Sequence, residues 1–346
     1  MLLVIFGAGA SYDSIPTLAH PDFASRPLRP PLADELFANK FAGIFRNRKY
    51  RRHLPPIVTR MLTGEVERKL EELRLEAKSN PEVPKQLAAV QYYLQDLIKT
   101  CQVGWNGDIE NFGGLTNYGS FIDEVEGWRQ RVGVKEVFCV TFNYDTLLED
   151  SLGRDPRIDL RINRMSDYVM GIYKVIKPHG SINWSHHISM VPGLHPNLAM
   201  RNEDDYIPTI IDNAGELRID DAIELKHVSR DPQYPALAIP VETKSDYECP
   251  KEHIDKLWEF LPSVKIVISV GWRAREEHFM QRLVQGLSSE VKWQIVSSNQ
   301  QSAEEVKKHM EQTGIKGDIF ATSASGFTAY ETSVEAKRFL DQMSVQ

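Results

Sequence analysis

The chain has 346 residues, a net charge of −7, 42% hydrophobic and 26% charged side chains, and three cysteines. That length buries a sizeable core in one or two domains, the composition is that of a soluble globular protein, and the acidic balance argues against direct nucleic-acid binding, which uses a basic face. No apolar run approaches the roughly 20 residues that span a bilayer, and Cys101, Cys139 and Cys249, with no Cys-x-x-Cys pair, argue against zinc ribbons and disulfide frameworks.

The opening run Leu2–Phe6 reads as a buried strand. It is too short for a signal-peptide core and has no basic leader, so a cytoplasmic chain is expected. Ser25–Pro31, with three prolines, is loop, and Leu32–Phe41 has helical spacing at Leu32, Leu36 and Phe37. The basic stretch Arg46–His53 suits a solvated face or a partner contact. Residues 51–101 read as helical: Glu65–Lys78 is rich in strong helix formers, Asn80-Pro81 breaks the pattern, and Lys85–Thr100 resumes it through Leu87, Val90, Leu94 and Leu97. Phe121–Arg131 is a further helix.

Val134–Val140 reads as a second buried strand, with a helix over Tyr144–Ser151. Met170–Ile176, Tyr206–Ile211 and Ala236–Val241 read as strands among irregular loops. The last third alternates: helix Lys251–Leu261, strand Lys265–Val270, helix Glu276–Leu287, strand Val291–Ser297, helix Ala303–Thr313, strand Gly317–Ala321 and helix Glu331–Met343. This alternation predicts an α/β fold, a Rossmann-like parallel sheet with helices on both faces. The helical stretch 30–132 interrupts it as an inserted helical module, leaving 1–29 and 133–346 as the sheet-bearing domain.

Three motifs sit beside the strands. Gly7-Ala8-Gly9-Ala10-Ser11 follows the first strand, where a phosphate-binding turn is expected: glycines let the backbone approach a pyrophosphate, and N–H groups point at it. The same residues also make a tight strand-to-loop turn, and the third glycine of the usual dinucleotide fingerprint is missing, as is an acidic residue ending a second strand. Thr141-Phe142-Asn143-Tyr144-Asp145 lies just past a strand end, where Asn143 and Asp145 could fix a ribose hydroxyl and a carboxamide or simply cap a helix. Lys177-Pro178-His179-Gly180-Ser181-Ile182-Asn183-Trp184 places a His beside a Gly, able to reach a ligand or to serve as a polar loop residue. His186 and His187 have no carboxylate at metal-ligand spacing and read as surface residues, while His278 and Glu277 open a helix near the ligand edge. Ser269-Val270-Gly271-Trp272 and Ser297-Ser298-Asn299 end later strands: Gly271 permits close backbone approach, and Asn299 holds a ribose or caps a helix.

As a set, these residues resemble the sirtuin superfamily. Its members carry a Gly-Ala-Gly-x-Ser turn, a Thr-x-Asn-x-Asp strand end, a His-Gly, then a Gly-Ser-type turn and an Asn after later strands. Gly7, Gly9, Ser11, Asn143, Asp145, His179, Gly180, Gly271 and Asn299 occupy these places in order. Sirtuin deacylases add a four-cysteine zinc module after the catalytic His, whereas only Cys249 follows His179. The family's Gly-Ile-Pro-Asp-Phe-Arg segment is also broken: Ser14-Ile15-Pro16 matches its start, and Pro21-Asp22-Phe23 is displaced. Lys177–Trp184 and Arg29-Pro30-Pro31-Leu32-Ala33-Asp34-Glu35-Leu36-Phe37 look instead like the sirtuin-like NAD hydrolases of bacterial antiphage defence.

That resemblance implies cleavage of NAD to nicotinamide and ADP-ribose, without a metal. Gly7, Ala8, Gly9, Ser11, Gly271 and Asn299 would bind the dinucleotide. Asn143 would hold the nicotinamide ribose and order water, Asp145 would orient the carboxamide, and His179 would act as base. Members of that group work with a sensor domain or partner, including ring-forming ATPases and Argonaute-like proteins, so a homo-oligomer or such a partner is expected. An NAD-dependent protein deacylase and a non-catalytic NAD or ADP-ribose sensor are the competing readings.

Overall fold

The computed structural model describes residues 1–14, 29–47, 50–62, 64–107, 116–158, 160–188, 214–219, 233–241 and 247–343. Ile15-Pro16, Pro21-Asp22-Phe23 and the strand expected over Tyr206–Ile211 lie outside them.

Six parallel strands form the main sheet: β1 (Leu2–Phe6), β2 (Val137–Thr141), β3 (Tyr173–Ile176), β7 (Ile266–Val270), β8 (Lys292–Val296) and β9 (Asp318–Ala321). β1, β2, β3 and β7 are buried along their whole length, as a sheet covered on both faces requires, which is why β1, β2 and β7 are almost wholly apolar, whereas β3 carries Lys174, paired with Glu136. The spatial order is β3-β2-β1-β7-β8-β9. The chain winds outward from β1 in one direction, returns to the centre, and winds outward in the other. The direction reverses between β1 and β7, and in such sheets ligands bind at the carboxyl ends of the strands flanking that reversal.

Helices flank the sheet. α1 (Ala8–Ser14), α5 (Asn117–Val132), α6 (Leu147–Arg154), α10 (Gly326–Thr332) and α11 (Glu335–Met343) pack on one another. α7 (Lys251–Phe260), α8 (Glu277–Gly286) and α9 (Gln300–Thr313) complete the alternation. The helix expected over Glu331–Met343 is two, interrupted at Val334, whose φ of 56° is left-handed. The helix expected from Tyr144 begins at Leu147, because Asn143–Thr146 form the strand-end loop. Leu32–Phe41 makes only single 3-10 turns, at Ala33–Glu35 and Asn39–Phe41.

A second core joins α2 (Leu54–Met61), α3 (Val66–Glu76) and α4 (Val83–Gly107) to a small antiparallel sheet. Its strands are β4 (Gly180–Ile188), β5 (Ala214–Ile219) and β6 (Gln233–Leu237), in the order β5-β4-β6. Leu70, Leu73, Leu94 and Leu97 pack in this core with Leu237 and Val241. The two halves of 30–132 therefore pack differently. α4 packs on β6 and β4 of the small sheet with α2 and α3 packed on α4, whereas α5 sends Tyr118, Phe121, Val125 and Trp128 into the core of the main sheet.

α10 also carries Glu331, whose buried Oε1 has no hydrogen-bond partner. Burial, with the nearby Glu124 charge adding to it, raises its pKa from the usual carboxylate value to about 8. A folded-state pKa above the unfolded one gives stability that is complete below about 4.5 and lost as pH rises through about 8. Glu331→Gln is therefore expected to flatten the fall in Tm between about pH 4.5 and 8. Melting curves of both proteins across that range check it, and parallel curves would contradict it.

Candidate functional site

Parallel register aligns the strand ends. Phe6 pairs with Thr141 of β2 and with Val270 of β7, so Gly7, Phe142 and Gly271 lie side by side at one edge of the sheet. The three glycines of this edge fit backbone to backbone. Gly7 N donates to Val270 O at 3.0 Å and Gly9 N to Gly271 O at 3.2 Å. A Cβ on Gly7 would sit 2.5 Å from Gly271 O, and one on Gly271, at φ +60°, would sit 2.3 Å from Ala10 N. The first demand on these glycines is the seam between the two turns. α1 begins directly at Ala8, so the motif is a strand-to-helix turn.

Ser11 lies inside α1 and is buried. Its Oγ is 2.9 Å from Tyr118 Oη of α5. Asn143, also buried, donates from Nδ2 to Gly7 O (2.9 Å), Ser11 Oγ (2.8 Å) and Tyr118 Oη (3.1 Å). A carbonyl can only accept, so the contact with Gly7 O fixes which end of the amide is nitrogen. The donor end of Asn143 is committed to protein, leaving its Oδ1 as the end able to accept from a ligand. Burial pushes the Tyr118 hydroxyl well above its usual pKa, with the Asp145 charge second, so Tyr118 stays protonated. The sequence reading omits Tyr118: nothing at the start of a helix 25 residues before Asn143 signals that it holds that amide.

Asp145 is buried, and its Oδ1 accepts from Leu147 N at 3.1 Å, the bond expected of a residue starting a helix. Asn299 likewise caps α9, accepting from Ser302 N at 2.8 Å, and is exposed at the carboxyl end of β8. Its backbone lies at the same edge of the sheet as Gly7 and Gly271, while its side-chain Oδ1 is occupied by the cap.

His179 sits in a turn closed by Gly180 N donating to Lys177 O (3.0 Å). Proline at the second place of that turn and a left-handed glycine at its end suit the geometry. Gly180 has φ +79°, and a Cβ there would lie 1.9 Å from Ala236 O. Gly180→Ala is expected to cost roughly 2–4 kcal/mol, a left-handed alanine plus displacement of β6. Denaturant titration measures it, and a loss below about 1 kcal/mol would contradict the clash. The expected loop is short, because β4 starts at Gly180.

The buried His179 ring places Nδ1 3.2 Å from Phe142 O. That carbonyl requires a proton on Nδ1, so in the neutral ring Nε2 carries the lone pair. Phe142 is itself fixed by stacking on Trp272 (5.7 Å, 4° between planes), which stacks in turn on Trp293 (6.4 Å, 7°). His179 is thus held by the residue directly before Asn143.

Lys177 joins the second and third motifs. Its fully buried Nζ pairs with Glu149 Oε1 of α6 at 2.8 Å and donates to the Asp145 carbonyl. A lysine directly after a buried strand is the only hint of this in sequence.

His186 departs from the surface reading. Its Nε2 is 2.5 Å from Glu248 Oε1 and its Nδ1 3.0 Å from Gly215 O. Burial lowers its pKa, but the Glu248 hydrogen bond, the Gly215 carbonyl and the Glu248 charge outweigh that and raise it. His278 is exposed on α8, its ring 5.4 Å from Tyr247. A cavity of about 380 Å³ between β8, β9 and α11, lined by Lys292, Phe320 and Arg338 among others, includes none of the motif residues.

Among the described residues, no group of three or more His, Cys, Asp and Glu side chains could hold a metal ion, and no helix is long and apolar enough to cross a membrane. No protein-family model and no curated protein matches the chain. Similar solved structures include a Sir2 homologue triple mutant in complex with 2′-O-acetyl ADP ribose, at 14% identity and a TM-score of 0.41, covering 100% of this chain and 93% of that one. Another is a Sir2 homologue point mutant with ADP ribose, at 14% identity and a TM-score of 0.40, covering 99% and 92%. A third is a Sir2 mutant with a p53 peptide and NAD, at 10% identity and a TM-score of 0.37, covering 100% and 94%. Values this low carry no chemistry from those proteins to this chain.

Proposed function

We propose that the protein is an NAD+ glycohydrolase. The observation that carries this reading is the pairing at the sheet's carboxyl edge of an asparagine with its donor end tied inward and a histidine with Nδ1 tied to a carbonyl. The nicotinamide of NAD leaves as a neutral ring, taking the electron pair of the C–N bond, so acid catalysis is not needed. What must be supplied is stabilisation of an electron-poor ribose and a positioned water. Asn143 Oδ1 accepts from a ribose hydroxyl or from that water. His179 Nε2 takes the proton the water releases as its oxygen bonds to the ribose carbon. Asp145 orients the carboxamide. Gly7, Ala8, Gly9, Ser11, Gly271 and Asn299 line the remaining dinucleotide path, with Ser11 acting through Asn143. No residue in this scheme requires a metal.

Unregulated NAD hydrolysis depletes a cell, so the activity belongs under control. We assign that control to homo-oligomer assembly or to a partner such as a ring-forming ATPase or an Argonaute-like protein, in NAD-depleting antiphage defence. The test is chromatographic detection of nicotinamide and ADP-ribose from NAD over a range of protein concentrations, alone and with the product of the neighbouring gene. Peptide-independent nicotinamide release supports the reading. Release that requires an acylated peptide replaces it with a deacylase, and tight ADP-ribose binding without turnover in any condition replaces it with a sensor.

A further inference from the structure

The helical module carries none of the catalytic residues proposed above, yet α4 reaches both segments that do. It presents three buried glutamines, Gln91, Gln95 and Gln102, spaced by four and seven residues and therefore on one face. Gln91 Nε2 donates to Leu237 O of β6 at 2.7 Å, and its Oε1 accepts from Tyr234 Oη. Gln95 Nε2 donates to Ile182 O of β4 at 3.0 Å, three residues after His179. Gln102 grips Thr146 twice, donating from Nε2 to its Oγ1 (2.5 Å) and accepting at Oε1 from its backbone N (3.1 Å). It also donates to Asp150 Oδ2 at 2.9 Å. Thr146 directly follows Asp145. Between these grips, Ile182 N donates to Tyr144 O at 2.9 Å, so the β4 segment and the Asn143 loop already touch.

A buried amide is costly unless its groups are paired, and leucine would fill the same face without that cost. Three paired glutamines in a row are therefore more than packing requires. We infer that α4 is the positioning element of the site. Gln95 and Gln102 are positioning residues that hold the His179 strand and the Asn143 loop at one separation, and Gln91 anchors the neighbouring strand. The inference rests on the NAD-hydrolysing reading of that site, and it makes α4 the route by which anything engaging the helical module acts on catalysis.

The test compares Gln95→Leu and Gln102→Leu with Leu97→Ala in the full chain. Leu97 is fully buried in the core that α2–α4 share with the small sheet and, having an apolar side chain, hydrogen-bonds to neither segment, so it controls for lost stability. The glutamine variants are expected to lower kcat for NAD about tenfold with KM within about twofold. Amide exchange over residues 142–147 and 179–183 is expected to become about tenfold faster. Leu97→Ala is expected to lower Tm at least as far while leaving kcat and that exchange within about twofold. Wild-type kcat and exchange in both glutamine variants would overturn the inference, as would Leu97→Ala reproducing their effects. If the wild type turns over NAD in no condition, with or without a partner, the functional reading falls alone, and the exchange comparison still decides the role of α4.

Discussion

Asn143→Ala and His179→Ala are each expected to lower NAD turnover at saturating substrate by about 10²-fold or more. For His179 the expected loss is that of a positioned base, about 10²–10⁴-fold. For Asn143 it is at least as large, because water and ribose lose their orientation together. The two variants differ in their structural consequences. Asn143→Ala leaves Gly7 O, Ser11 and Tyr118 without the amide they share, and losing buried hydrogen bonds costs about 1–3 kcal/mol. His179→Ala removes a ring packed 4.9 Å from Phe142 and one bond to its carbonyl. Nicotinamide release measured well below the Tm of each variant separates lost chemistry from lost fold. Wild-type turnover in either would remove that residue from the mechanism.

Lys177→Met is expected to destabilise the protein by about 3–5 kcal/mol, since it strands the buried Glu149 carboxylate. The environment sharpens the effect. Glu149 Oε2 already has no hydrogen-bond partner, and Tyr168 Oη, 3.4 Å from Oε1, is a distant donor. The double variant Lys177→Met/Glu149→Leu is expected to regain most of this loss, because a buried ion pair replaced by apolar side chains of similar volume is often neutral or better. Denaturant unfolding of both variants checks this. A double variant no more stable than Lys177→Met alone would show that the Asp145 carbonyl, not Glu149, is what Lys177 chiefly stabilises.

The centre of the main sheet was legible because β1, β2 and β7 are buried on both faces and read as largely apolar runs. Leu2–Phe6 is bounded as its sequence implies, and the alternation after residue 251 returns as α7 to β9. Boundaries moved where a loop carries the site: the Asn143–Thr146 segment resembles the start of a helix, but its side chains bond inward instead of winding on. β4 was missed because Lys177–Trp184 carries a turn and a strand in one run, and the proline and glycine of the turn dominate its pattern. The motif residues could be picked out because they are Gly, Asn, Asp and His at strand ends. Tyr118, Glu149 and the α4 glutamines could not, since each functions through a partner more than 20 residues away. Gln91, Gln95 and Gln102 did leave a trace, as polar residues on a face that burial along α4 makes apolar elsewhere.

The seam of Gly7, Gly9 and Gly271 leaves no side chain between the central turns of the sheet. A floor made only of main chain cannot be reshaped one substitution at a time, because any added methyl at these positions is driven into the backbone opposite. Variation beside these turns is therefore expected at exposed neighbouring positions such as Arg273 and Ser298, on loops that tolerate change. Relatives of this chain can be expected to keep Gly7, Gly9 and Gly271 while the exposed positions beside them vary.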